Sequence, residues 1–297
     1  MDATTTSTPP KLDIPIMGVE QVDDRIWLKR DDLYQPFDDV TLNGAKVYQC
    51  MSLLHGCYDR IMSDNDGTVF TDSFVISPQG PIVARVAQYM GMKSIVCVGS
   101  KTAEYAAEHH PAIRMSKSFG SHIDCVCGPG ASMSLGVFAR RKYADKYFHV
   151  AFGMNATDDR TRGLVLDPLS RQVEAFRDLP TETMTLVVPG GSCVAFTGLL
   201  LGLARSGIKF KRIVSVQIAG YDRTNRIKAM VGDREVPEYE HIVDHTYPYS
   251  RKVKRQVGDV VLDSGYEAKA WAWVEREVDP SERVLFYIVG NSNITRV

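Results

Sequence analysis

The sequence predicts an α/β protein of two lobes, each a mostly parallel sheet flanked by helices, with an active-site cleft between them. Three observations lead there. Short apolar runs such as Thr185–Val188 and Val284–Val289 are bounded by Gly and Pro, as buried parallel strands are. Segments of helical periodicity alternate with those runs, the pattern of repeated βα units. A polar, Gly-containing stretch at Phe152–Gly163 interrupts the series and puts a boundary near residue 155.

The elements follow in order. Val47–Tyr58 is amphipathic and predicts a helix, and Thr68–Ile76 predicts a strand. Pro81–Met90 predicts a helix with Pro in its first turn and Gly91 as its C-terminal stop. Ser94–Val98 and Ile123–Val126 predict strands, Ala103–His109 and Ser132–Tyr147 helices. Beyond residue 155 the helices are Leu169–Arg177, Val194–Ala204 and Lys269–Val278, and the strands Thr185–Val188, Arg212–Gln217 and Val284–Val289. Residues Asp222–Asp259 are polar, rich in Tyr, His and Pro, and give no clear pattern. The expected division is a flexible lead-in and start of the large lobe (1–25), part of the large lobe (26–45), a smaller lobe (46–155) and the rest of the large lobe (156–297).

At 297 residues, 44% hydrophobic and 24% charged, the chain can bury a real core. A net charge of -1 gives no global attraction to nucleic acid or membranes. No apolar run approaches the roughly 20 residues that span a bilayer. The polar start MDATTTSTPPK lacks the basic and apolar regions of a secretory signal. Several of the six cysteines lie in apolar runs, as buried free thiols do, so a reduced, cytoplasmic protein is expected. His109–His110 and His241 with His245 do not make a zincin pattern, and no metal site is expected.

Four segments carry candidate chemistry. In IWLKRDDLYQPFDDVTLNGAK (Ile26–Lys46), a lysine follows an Asn-Gly turn at a helix start. Desolvation there would favour the neutral amine that Schiff-base chemistry needs, although Asn-Gly-x-Lys also occurs in plain surface turns. Ser77-Pro78-Gln79-Gly80-Pro81 joins a strand to a helix, with Ser77 either capping that helix or facing a ligand. VVPGGSCVAFTGLLLGL (Val187–Leu203) is a strand, a Gly-rich turn and a helix, either a plain βα turn or an anion cradle at a helix N-terminus. Leu262-Asp263-Ser264-Gly265-Tyr266-Glu267-Ala268-Lys269 opens another helix, where Tyr266 could exchange a proton and Glu267 could meet a cationic ring nitrogen or simply favour the first turn. The basic run Arg251–Arg255 reads first as a solvated face and second as a polyanion contact.

Taken in order, these segments resemble the pyridoxal-phosphate enzymes of fold type II, the tryptophan synthase β-like superfamily. The likeness is closest to the 1-aminocyclopropane-1-carboxylate deaminase and D-cysteine desulfhydrase branch. KRDD and NGAK stand where that branch has Lys-Arg-Glu-Asp and Gly-Gly-Asn-Lys. SPQGPIVARVAQYMGM resembles its Ser-Asn-His/Gln turn and helix, and VLFYIVGN its last core strand. The resemblance implies pyridoxal 5'-phosphate as cofactor, Lys46 as its Schiff-base lysine, and a homodimer. It implies a phosphate loop of Gly190, Gly191, Ser192, Cys193, Val194 and Ala195, with Cys193, Val194 and Ala195 replacing two glycines and a threonine. It assigns Glu267 to the ring nitrogen, Tyr266 to acid–base work and Ser77 to the substrate carboxylate. The asparagine that meets the ring hydroxyl falls on Pro78 without a gap or on Gln79 with a one-residue slip. Gln79 is preferred because proline has no side-chain donor.

The implied activity is a lyase or deaminase acting on an amino acid or amino-acid-like amine through a carbanion. Two alternatives are a catalytically silent, regulatory relative and an enzyme acting on an amino-acid-modified nucleic-acid base. The resemblance also implies a closing helix, whereas the sequence stops just after the final strand.

Overall fold

A computed structural model of the protein describes residues 8–38, 42–131, 134–156, 158–218 and 220–290. The chain divides into two compact units, one of residues 1–14 and 50–152 and one of residues 15–49 and 153–297. In chain order come β1 (Val19–Gln21), β2 (Ile26–Arg30), α1 (Ala45–Gly56), α2 (Tyr58–Asp64), β3 (Thr68–Asp72), α3 (Gln79–Tyr89), β4 (Lys93–Gly99), α4 (Ala103–His109) and α5 (Pro111–Ser118). Then follow β5 (His122–Cys127), α6 (Leu135–Tyr143), β6 (Phe148–Val150), α7 (Asp159–Arg171), β7 (Met184–Gly190), α8 (Val194–Ser206), β8 (Arg212–Gln217) and α9 (Thr224–Val231). The chain closes with β9 (Glu240–Val243), β10 (Gln256–Val257), β11 (Val260–Val261), α10 (Glu267–Glu277) and β12 (Arg283–Ile288).

The first unit holds a four-stranded sheet in the order β5-β4-β3-β6, parallel throughout. The second holds a six-stranded sheet in the order β1-β2-β12-β7-β8-β9, parallel except for the edge pair β1–β2. The expected class of mostly parallel sheets flanked by helices is therefore the observed one.

Period-two alternation explains the layers of the second unit. Ile26, Leu28, Val187, Val214, Val284 and Phe286 face one side and pack with Trp271, Trp273 and Val274 of α10. Their chain neighbours Trp27, Leu186, Val188, Leu285 and Tyr287 face the other side and pack with Phe196, Leu199, Leu200 and Leu203 of α8. Because both faces are covered, the strands read as continuous apolar runs.

Three sequence expectations need correction. The helix expected at Leu169–Arg177 begins ten residues earlier as α7, and residues 172–176 form a 3-10 turn instead. The end of the polar stretch, from Asp159, is the first turn of that helix, where Asp158 accepts the Thr161 N–H at 2.9 Å as an N-cap. The expected strand Thr68–Ile76 stops at Asp72. The expected helix Ser132–Tyr147 is shorter, Leu135–Tyr143, with Ser132 outside the described residues. No helix among the described residues is long and apolar enough to cross a membrane.

Candidate active site

Lys46 is the second residue of α1, and the backbone entering that helix places it. Gly44 has φ +90°, and a Cβ there would lie 2.5 Å from Gly290 Cα and from Val289 O. Gly290 has φ +139° and would in turn strike Gly44. Two bare glycines therefore let the start of α1 meet the end of β12, and the Ala45 N–H donates to Val289 O at 2.7 Å. Lys46 is half-buried, with its amine among protein atoms although part of the side chain meets solvent. Desolvation, then the nearby Arg226 guanidinium, lowers its pKa from 10.5 to about 8.

Beneath this junction lies a buried polar knot. Asp31, which follows β2, pairs with Lys29 and accepts hydrogen bonds from the hydroxyls of Tyr48 (2.6 Å) and Tyr287. Lys29 Nζ also donates to Gln172 Oε1 at 2.9 Å. The knot ties β2, α1 and β12 together where Lys46 emerges.

Glu267 opens α10 and is buried. Its Oε1 accepts the Gly290 N–H at 3.2 Å, and its Oε2 has no hydrogen-bond partner among the described residues. Burial, then the charge of Asp263, pushes its pKa well above the usual carboxylate range, which disfavours the charged form. Asp263 shapes the turn before it, its Oδ1 accepting the N–H groups of Gly265 and Tyr266, both at 2.9 Å. The Tyr266 hydroxyl shares a 2.7 Å hydrogen bond with that of Tyr249. Burial, then Tyr249, raises the Tyr266 pKa, which keeps it a proton donor.

The Gly-rich turn leaves the end of β7 at Gly190 and enters α8 at Val194 and Ala195. A Cβ on Gly191 would lie 2.9 Å from the Tyr266 ring, so the turn and the start of α10 touch. Gln217, at the end of β8, supports the turn: its Nε2 donates to Gly191 O at 3.2 Å and its Oε1 faces Cys193 Sγ at 3.2 Å. Cys193 has φ 59° and ψ 12°, the left-handed conformation that favours glycine. The loop thus keeps a glycine-like backbone without the glycine. That strain, roughly 1–2 kcal/mol for an L-residue, reverses an ordinary ranking. Cys193→Ala keeps it and loses the buried sulfur, at a cost of about 1–2 kcal/mol. Cys193→Gly relieves it, so we expect urea midpoints in which Cys193→Gly is at least as stable as Cys193→Ala.

Ser77 and Gln79 belong to the first unit. Ser77 Oγ accepts the Gln79 N–H at 3.2 Å. The buried Gln79 Nε2 donates to Thr71 Oγ1 and to Ala151 O, both at 2.9 Å, joining the end of β3 to the segment after β6. Lys46, the turn 190–195, Tyr266 and Glu267 all lie in the second unit, around the C-terminal ends of its parallel strands. Sequence reasoning missed Arg226, Gln217 and Gly153 there. The signals available were a polar residue closing an apolar strand and the Arg223-x-x-Arg226 spacing just beyond it.

No family model matches the sequence. Among solved structures, the chain is similar to an ACC deaminase homologue, with a TM-score of 0.67 at 18% identity over 89% of this chain and 84% of that one. It is also similar to the O-acetylserine dependent cystathionine beta-synthase from Helicobacter pylori, with a TM-score of 0.66 at 14% identity over 95% of both chains. The fold is that of the fold type II pyridoxal-phosphate enzymes. In sequence, the chain is 23% identical over 197 residues to the O-seryl-dTMP PLP-dependent decarboxylase of Salmonella phage ViI. That match covers 62% of this chain and 44% of the phage protein, less than half of its length.

The fold implies pyridoxal phosphate, and the residues of the second unit fit it. Lys46 offers an amine already shifted toward neutrality, and Glu267 Oε2 is a buried carboxyl oxygen without a partner among the described residues. The turn at Gly191–Ser192 precedes a 13-residue helix whose N-terminus favours an anion.

Proposed function

We propose that the protein is a pyridoxal-phosphate-dependent lyase that breaks a bond at the α-carbon of an amino-acid substrate, with loss of the α-carboxylate as the favoured reaction. The observation that carries this reading is the pairing of Lys46, its amine shifted to about 8, with the buried carboxyl of Glu267, whose Oε2 is unpartnered among the described residues, across one glycine junction. The cofactor, when bound, supplies an electron sink conjugated to the α-carbon. Lys46 Nζ would hold the cofactor and would move a proton at the α-carbon of the substrate. Glu267 would meet the ring nitrogen, and a carboxyl group there would deepen the sink and favour a reaction leaving an electron pair on carbon. Tyr266, kept protonated, donates its hydroxyl hydrogen. In decarboxylation the bond from the α-carbon to the carboxyl carbon breaks, CO2 leaves, and a proton from Lys46 or Tyr266 takes its place.

A second reading of the substrate has its own support: an amino acid carried on a nucleotide rather than free. The phage relative is named for O-seryl-dTMP. In this chain Arg251 lies over the Tyr247 ring (5.2 Å) and Arg223 over the Tyr221 ring (5.7 Å), while Tyr221 and Tyr249 are exposed. Such rings and cations can stack and pair with a nucleotide.

The test supplies the purified protein and pyridoxal phosphate with free L-serine in one arm and O-seryl-dTMP in the other. The expected product is CO2 with an amine lacking the carboxyl carbon, formed from the nucleotide-linked substrate if the second reading holds. Ammonia and a keto acid without CO2 would replace decarboxylation by deamination. Failure of pyridoxal phosphate to attach to Lys46, read by borohydride reduction and peptide mass mapping, would sink the enzyme reading altogether.

A further inference from the structure

Arg226 occupies the first turn of α9, directly after the strand that supports the Gly-rich turn. Its Nη2 lies 3.4 Å from the point where a Cβ on Gly153 would stand, and Ser192 Cβ and Oγ lie 2.8 and 3.5 Å from that same point. Guanidinium and turn therefore converge on the bare face of Gly153. Arg226 Nε and Nη2 are cut off from solvent and have no hydrogen-bond partner among the described residues, and Arg223 Nε is in the same state. The charge acts on both Lys46 and Cys193, at either side of the loop. The neighbouring carboxylate, Asp222, is occupied elsewhere: its Oδ1 accepts from Thr224 N (2.8 Å) and Thr224 Oγ1 (2.7 Å). Two guanidiniums with buried orphan donors beside a helix N-terminus make an uncompensated positive site, and such donors are costly unless an anion meets them.

We propose that Arg226, backed by Arg223, is the cationic wall of the phosphate cradle in this chain and binds the phosphate monoester of the cofactor. This rests on the pyridoxal-phosphate reading above. It accounts for the altered loop: backbone donors crowded by the side chains of Cys193 and Val194 are supplemented by a planar fork suited to phosphate oxygens.

The test compares wild type, Arg226→Met and Arg226→Lys with three probes: pyridoxal phosphate, pyridoxal, which lacks the phosphate, and inorganic phosphate. Arg226→Met is expected to weaken pyridoxal phosphate about 10- to 100-fold and pyridoxal far less, only through the rise in the Lys46 pKa, with Arg226→Lys regaining part of the loss. Without ligand, Arg226→Met should melt no lower than wild type, because an unpaired buried charge has gone. Inorganic phosphate should raise the melting temperature of wild type and not that of Arg226→Met. If Arg226→Met does not fold, Arg226→Lys against wild type with the same probes decides, and equal affinities for pyridoxal phosphate overturn the proposal. Equal losses for pyridoxal and its phosphate also overturn it. Unchanged pyridoxal phosphate affinity in Arg226→Met sinks this assignment alone. A wild type that binds none of the three probes sinks the cofactor reading with it.

Discussion

Asp31→Ala should lower stability by about 3–5 kcal/mol, on the order of a 10 °C loss in melting temperature. Asp31 is fully buried and accepts from Lys29, Tyr48 and Tyr287, so its removal orphans a cation and two hydroxyls at once. Burial already lowers the Lys29 pKa, against the opposing pull of Asp31. Without Asp31 burial acts unopposed, and Lys29 escapes much of the penalty only by releasing its proton. That fixes the sign of the pH dependence. The Lys29 pKa in the folded variant falls further below its unfolded value near 10.5, so between those two values the unfolded chain binds more protons. The stability deficit of Asp31→Ala should therefore shrink as pH rises through that window. Urea titrations at neutral and alkaline pH measure it directly. A deficit below about 1 kcal/mol would mean that the knot contributes no more than a surface ion pair. Lys29→Met combined with Asp31→Leu should recover part of the loss, since an apolar pair leaves no orphaned charge.

What the sequence discloses and what it conceals divide along the range of the interactions. Lys46, the 190–195 turn and Glu267 are each announced by a short local pattern, because a turn, a helix start or a Gly-rich loop depends on adjacent residues. The KRDD run is equally visible, but its use is not: Asp31 meets Tyr48 and Tyr287, which lie 17 and 256 residues away. Arg226 and Gln217 are hidden for the same reason, one of them inside the stretch 222–259 that shows no periodicity. The first turn of α7 reads as loop because its capping aspartate and charged residues are polar, and only the packing of its later turns marks it as helix. Cys193 illustrates the converse. Its identity suggests a loop that has lost its glycine geometry, yet its φ of 59° shows that the backbone shape is kept by the surrounding structure.

Lys46→Met should abolish covalent capture of pyridoxal phosphate and reduce turnover by about a thousandfold or more, because in the proposed function the amine both anchors the cofactor and moves the proton at the α-carbon. Methionine keeps the apolar stem, so packing at the start of α1 survives. With a pKa of about 8, about one Lys46 in ten is neutral at pH 7, against roughly one in three thousand for an ordinary lysine. The rate of aldehyde capture by wild type should accordingly rise about tenfold per pH unit below 8 and level off above it. Arg226→Met removes the second cause of the depression, so its plateau should begin at higher pH. Stability follows with its own sign. A lysine whose pKa is depressed on folding destabilises the apoprotein below its folded pKa, and stability rises with pH from about 8 to 10.5. Apo Lys46→Met lacks that liability and should be the more stable protein at pH 7, by about 1–2 kcal/mol once partial solvent contact is allowed for. A capture rate that is flat between about pH 6 and 9, roughly the range where the amine titrates, would remove Lys46 from the role. So would borohydride-fixed cofactor found on any other lysine.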